Sequence, residues 1–140
     1  MAMRAYSEVY LEEVVENQGK LFDLVAQEYP EMDTEDFINA YMASKTRKSI
    51  DESQAYVNTK DARELWDYFL ETDKYVLKPG RALEGFVPAW IGAFYAYYQW
   101  FYNVSSAELV KKIPVAFLKK AYCGLRDLDL PLAVQKVGEV

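Results

Sequence analysis

The chain has 140 residues, with 16 Lys/Arg against 22 Asp/Glu, a net charge of −6, no histidine and a single cysteine, Cys123. That length can bury one core, and the apolar and charged shares (51% and 27%) exclude a disordered chain. Without histidine the usual zinc sites and Ser-His-Asp or Cys-His catalysis are excluded, and a lone cysteine excludes an internal disulfide.

In chain order, the apolar spacing of Tyr10, Val14, Leu21, Leu24 and Val25 predicts a first helix from about Arg4 to Tyr29, closed by Pro30. Asn17 and Gln18 interrupt its apolar seam and read as a partly exposed turn. Asp33 is placed to cap a second helix, about Thr34 to Ser44, that offers Phe37, Ile38, Tyr41 and Met42 to a core. The polar run KTRKSIDESQAYVN (45–58) reads as a short irregular connection with about one helical turn. Asn58 or Thr59 is then expected to cap a third helix to Leu70, burying Ala62, Leu65, Trp66 and Phe69.

Pro79-Gly80 marks a turn in the longest non-periodic stretch. Pro88 opens an aromatic helix and Asn103 ends it: WIGAFYAYYQWFY, residues 90 to 102, holds eight rings and no charge. Uncharged sequence runs from Gly85 to Ala107, long enough to span a bilayer. Its four Tyr, its Gln, Asn and Pro, and the capping pattern Ser105-Ser106-Ala107-Glu108 at its end argue against a span. A soluble helix that is apolar all round is normally the central one, and its alanines admit close neighbours. Gln99 is the nearest acceptor for buried Tyr hydroxyls. Short helices from Ser105 to about Lys112 and from Pro114 to Cys123 follow, with Gly124 expected in the left-handed conformation at the second one's end. Asp127 would cap a last helix ending near Gly138. No stretch alternates with period two. The expected fold is all-α: one compact domain over residues 1–140, of five to seven helices packed around the aromatic helix at about 88–102.

Charge is uneven along the chain. Residues 1–75 hold eight Lys/Arg against seventeen Asp/Glu, and residues 76–140 hold eight against five. Such asymmetry suits either a charged partner or attraction between halves of one domain. The carboxylate groups Glu12-Glu13-Glu16, Asp33-Glu35-Asp36 and Asp127-Asp129 read as a solvated face and two helix starts, and no glycine-rich phosphate loop is present. Cys123, late in its helix, reads as a small core residue. Lys111, Lys112, Lys119, Lys120 and Arg126 stand on two short helices with a tight join, a pattern similar to helix-turn-helix geometry with phosphate-facing lysines. With no basic and apolar leader at the start, a cytoplasmic setting is expected.

The order ELWDYF, then PAWIGAFYAYYQWFYNVSSAELVKKIP, then FLKKAY and a DLDLPLAV tail resembles a small family of helical proteins of gut bacteria. Its most specific part is Ala96-Tyr97-Tyr98-Gln99-Trp100 with Ser105 and Ile113-Pro114. The family's genes lie near small toxin–antitoxin-like or ADP-ribosyltransferase-like cassettes, and it carries no established activity. What the resemblance implies is a cytoplasmic accessory or antitoxin-like binding protein. Arg47, Asp51 and Asn58, in a polar segment that packing does not explain, are candidates for partner contact, together with Tyr97, Tyr98 and Gln99. The leading expectation is thus a non-enzymatic module that binds a protein partner or itself, with no cofactor, no metal and no membrane. The alternatives are a DNA-binding protein using the lysine-rich helices of 105–126 and, behind it, a small-molecule-binding protein or hydrolase with a Tyr/carboxylate cleft.

Overall fold

A computed structural model describes residues 6–53 and 60–138. Among them a short 3-10 turn, Glu8–Tyr10, leads into eight α-helices: α1 (Leu11–Glu28), α2 (Thr34–Met42), α3 (Lys45–Asp51), α4 (Ala62–Asp73), α5 (Val87–Tyr102), α6 (Ser106–Lys112), α7 (Val115–Leu125) and α8 (Leu130–Val137). The all-α expectation holds, with one helix more than the sequence suggested.

The helix starts follow from short polar side chains that accept orphan backbone N–H groups. Asp33 accepts from Asp36 N at 3.0 Å, as expected, and Ser105 accepts from Glu108 N at 3.2 Å, which is the cap half of the expected capping box without the returning Glu108 bond. Ser7 starts the turn before α1, so the first helix begins at Leu11 rather than near Arg4. Asp61, in a reciprocal capping box with Glu64, starts α4, whereas Asn58 and Thr59 lie outside the described residues. Asp129, not Asp127, caps α8. Asn103 closes α5 in the left-handed conformation at φ 53°. Gly124 does not do the same for α7: the helix continues through it to Leu125, and Arg126 ends it in right-handed geometry.

The run after Ser44 is helical rather than an irregular connection. It forms α3, because Ser44 Oγ accepts from Arg47 N and the last residue of α4, Asp73, accepts from Lys45 N at 2.9 Å and Thr46 Oγ1 at 2.6 Å. The inward residues of α3 are Thr46, Arg47 and Ile50, so two polar side chains hide the helical period.

α5 is the centre of the molecule. Its largest contact is with α1, and it also touches α6, α7 and α8. The approach to α1 is set by glycine: a Cβ on Gly92 would stand 2.5 Å from the Gln18 carbonyl oxygen and 2.9 Å from Gly19 Cα. A second aromatic assembly, unmarked in the sequence, draws Phe22, Phe37, Tyr41, Trp66, Phe69 and Tyr75 from α1, α2, α4 and the segment beyond, with centroids 5.3 to 6.1 Å apart. Residues 30–33 and 78–82 run antiparallel across a single bridge at Met32 and Pro79, which fastens the long loop to the base of α2. No helix among the described residues is long and apolar enough to cross a membrane.

Candidate functional site

The four-residue spacing of Arg47 and Asp51 puts both on one side of α3. That side faces inward, toward the start of α6. Arg47 is 1% exposed, one of the largest fully buried side chains of the protein. Its Nη1 lies 3.5 Å from Asp51 Oδ1. Asp51 in turn accepts from the Ser106 amide at 2.8 Å and from the Ser106 hydroxyl at 2.7 Å, which joins α3 to the first residue of α6. Arg47 and Asp51 are therefore brought together, in the interior rather than on a surface. Asn58 lies outside the described residues.

Two buried tyrosines, Tyr41 and Tyr6, lie within electrostatic reach of this pair. Tyr41 donates its hydroxyl to Gln18 Oε1 at 2.8 Å, and burial raises its pKa, partly offset by the nearby Arg47 guanidinium and by the bond to Gln18. Gln18 is thus a buried partner, not an exposed turn residue; Asn17 beside it donates to the Lys60 carbonyl at 2.8 Å. Tyr6 is buried too, held by Trp100 Nε1 donating to its carbonyl at 2.8 Å. Burial pushes its pKa up to about 12, with Arg47 pulling it down and Asp51 adding a smaller push up. Ser106, Tyr6, Gln18 and Trp100 escaped sequence reading because each looks like an ordinary cap, tail or core residue until α3 is seen to point inward.

On the aromatic helix the Tyr95 and Tyr98 hydroxyls have separate partners, while Trp90 Nε1 and Gln99 Oε1 are buried with none among the described residues. Tyr95 donates to the Ile113 carbonyl at 2.6 Å and Tyr98 to the Gly138 carbonyl. Burial raises the Tyr95 pKa above its ordinary value, with a smaller push from Glu35. Gln99 does not serve these hydroxyls: its Nε2 donates to Val104 O at 3.1 Å across the turn after α5. Tyr97 is half-buried and stacks on Phe101, centroids 6.0 Å apart. Tyr98 packs between Phe94 and Tyr102. The rings are mostly core.

Lys111, Lys112, Lys119, Lys120 and Arg126 are all exposed. Lys119 Nζ reaches Glu35 Oε1 at 3.3 Å, and Arg126 lies over the Tyr122 ring at 5.8 Å. α6 and α7 dock on α2 and α5, with little contact between themselves, so their packing differs from a helix-turn-helix pair. Cys123 is exposed, which corrects its reading as a core residue. No group of three or more His, Cys, Asp or Glu among the described residues is placed to hold a metal ion.

The exposed charges of α1 and α4 are mostly acidic. α1 and α4 pack together, with Arg63 pairing to Glu28 between them. Their outer sides present Glu12, Glu13, Glu16, Glu64, Asp67 and Glu71, with Lys20 pairing to Glu16 at 2.9 Å. Val9 and Tyr10, in the turn just before α1 and its Glu12, Glu13 and Glu16, are 83% and 58% exposed. Comparison with known proteins adds no relative: no family model, no curated protein and no solved structure matches the chain.

Proposed function

We propose that the protein is a non-enzymatic protein-binding module that docks a basic partner through the acidic face of α1 and α4. The observation that supports this is the setting of Val9 and Tyr10: two large apolar side chains left in solvent just before the exposed Glu12, Glu13 and Glu16 of α1. An apolar anchor beside charges of one sign is the pattern of a docking site, in which the anchor supplies affinity and the charges supply rate and selectivity. An antitoxin-like role is this same docking with a partner whose activity it masks.

The test is affinity capture from the cells of origin at moderate salt, with the unaltered chain beside Tyr10→Ser and a Glu12→Lys/Glu13→Lys double variant. A stoichiometric protein partner that both variants lose, and that high salt weakens, is the expected result. A partner retained equally by all three chains would remove the acidic face from the interaction.

Nucleic-acid binding is the second reading, favoured by Lys111, Lys112 and Lys120, which are exposed and make no ion pair among the described residues. It predicts duplex recovery in the same capture, with affinity falling steeply as salt rises.

A further inference from the structure

At the corner where α3 meets α6, hydrogen-bond donors outnumber acceptors. Nη1 and Nη2 of Arg47 have no hydrogen-bond partner among the described residues, nor has the Tyr6 hydroxyl, although all three atoms are buried. Arg47 is 1% exposed and Tyr6 8%. Asp51 does not answer this need. Its Oδ2 takes the Ser106 amide and its Oδ1 the Ser106 hydroxyl, both at hydrogen-bond length, while Nη1 stands off at 3.5 Å. The carboxylate is turned to α6 and the guanidinium keeps its donors. Tyr41 cannot help either, because its hydroxyl is engaged with Gln18.

Buried polar groups without partners are rare, and a charged donor is among the costliest to leave so. A guanidinium can only donate, and its planar fork matches paired oxygens. The nearby phenol is held neutral well past physiological pH, so it keeps a proton to donate as well. What such a set accepts is an oxygen group carrying negative charge. We propose that Arg47 and Tyr6 form a buried binding site for a small oxyanion of the carboxylate or phosphate class. The site lies behind the N-terminal turn: Tyr6 is tied to α5 by Trp100, and the residues after it, Ser7 to Tyr10, are exposed.

Thermal unfolding of the full chain tests this, with sodium acetate or sodium phosphate titrated against sodium chloride at constant ionic strength. A ligand that binds only the folded chain raises Tm with the logarithm of its concentration. The unaltered protein is expected to show that rise with at least one of the two anions, and which of them acts names the class. Tyr6→Phe, which keeps the ring, is expected to weaken the apparent affinity roughly five- to tenfold, as for one lost hydrogen bond. Arg47→Met is expected to abolish the rise; should it fail to fold, Arg47→Lys, which keeps the charge without the fork, is expected to weaken it. No rise in the unaltered protein would overturn the site. So would an equal rise in Tyr6→Phe and the Arg47 variant, which is general salt stabilisation.

Discussion

Two buried regions carry polar atoms into the interior, and they settle them differently. Along α5, which crosses α1 at Gly92, the surroundings are mostly rings; the hydroxyls of Tyr95 and Tyr98 each find a backbone carbonyl, while the neutral Trp90 Nε1 has no partner among the described residues. Where α3 meets α6 a full charge is buried, its carboxylate partner is shared with another helix, and two guanidinium nitrogens are left over. Depth is the same in both. What separates them is the group left over, a neutral indole N–H on α5 and a charged guanidinium at the corner, and the charged donor is the costlier to leave unpaired.

The comparison breaks most sharply at Asp51. Asp51→Ala removes the only ion-pair partner Arg47 has among the described residues and strips Ser106 of its acceptor, so the loss of stability should be about 3–5 kcal/mol. Arg47→Met should cost less than Asp51→Ala in the absence of anion, because it removes the unpaired donors and leaves Asp51 bonded to the Ser106 amide and hydroxyl. Urea unfolding of both variants checks the asymmetry. Equal losses would mean that the ion pair, not the Ser106 tie, carries the corner.

At the crossing the sensitive element is backbone. Gly92→Ala forces a methyl to within 2.5 Å of the Gln18 carbonyl, and neither chain can yield without moving its helix. A loss of about 1–3 kcal/mol is expected, read by the same unfolding measurement. Since Gln18 also holds the Tyr41 hydroxyl, the near-ultraviolet signal of the tyrosines should change with it.

Much of this was legible in the sequence. Asp33, Ser105 and Asn103 act where short side chains at helix ends should act, and the uncharged helix is central because no face of it suits water. α3 was hidden because Thr46 and Arg47 sit where an apolar period was sought. The spacing of Arg47 and Asp51 announced a shared face but not its depth, which depends on Ser106, 55 positions beyond Asp51. The ring assembly around Phe37 was hidden for the same kind of reason: its members come one or two at a time from separate segments, unlike the run at 90–102. The alanines of α5 suggest close neighbours without saying which, while the closest approach, to α1, rests on Gly19 and Gly92.

Alkali sharpens the contrast on a smaller scale. Tyr6, Tyr41 and Tyr95 have folded-state pKa values raised above the ordinary 10, chiefly by burial. The fold therefore favours the neutral phenol, and the stability this gives is complete below pH 10 and lost as pH climbs through the folded values, toward about 12 for Tyr6. Each such tyrosine should steepen the fall above pH 10 by up to about 1.4 kcal/mol per pH unit. Tyr95→Phe should make the descent shallower by one proton, measured as unfolding free energy against pH. An unchanged slope would mean that Tyr95 ionises as freely folded as unfolded.

The smallest effect lies at Gly124, away from both regions. Glycine there looks like a terminator, yet α7 passes through it with right-handed geometry and ends a residue later. A Cβ added at this position meets nothing within 4 Å. Glycine therefore supplies no turn and no close approach, and only leaves the unfolded chain extra freedom. Gly124→Ala should stabilise the protein by about 0.5–1 kcal/mol, visible as a higher urea midpoint at unchanged slope. The same substitution at Gly92 should lower the midpoint. Two glycines, both inside helices, thus separate by sign: one is needed because a neighbouring backbone occupies the space of its missing side chain, and the other borders open solvent.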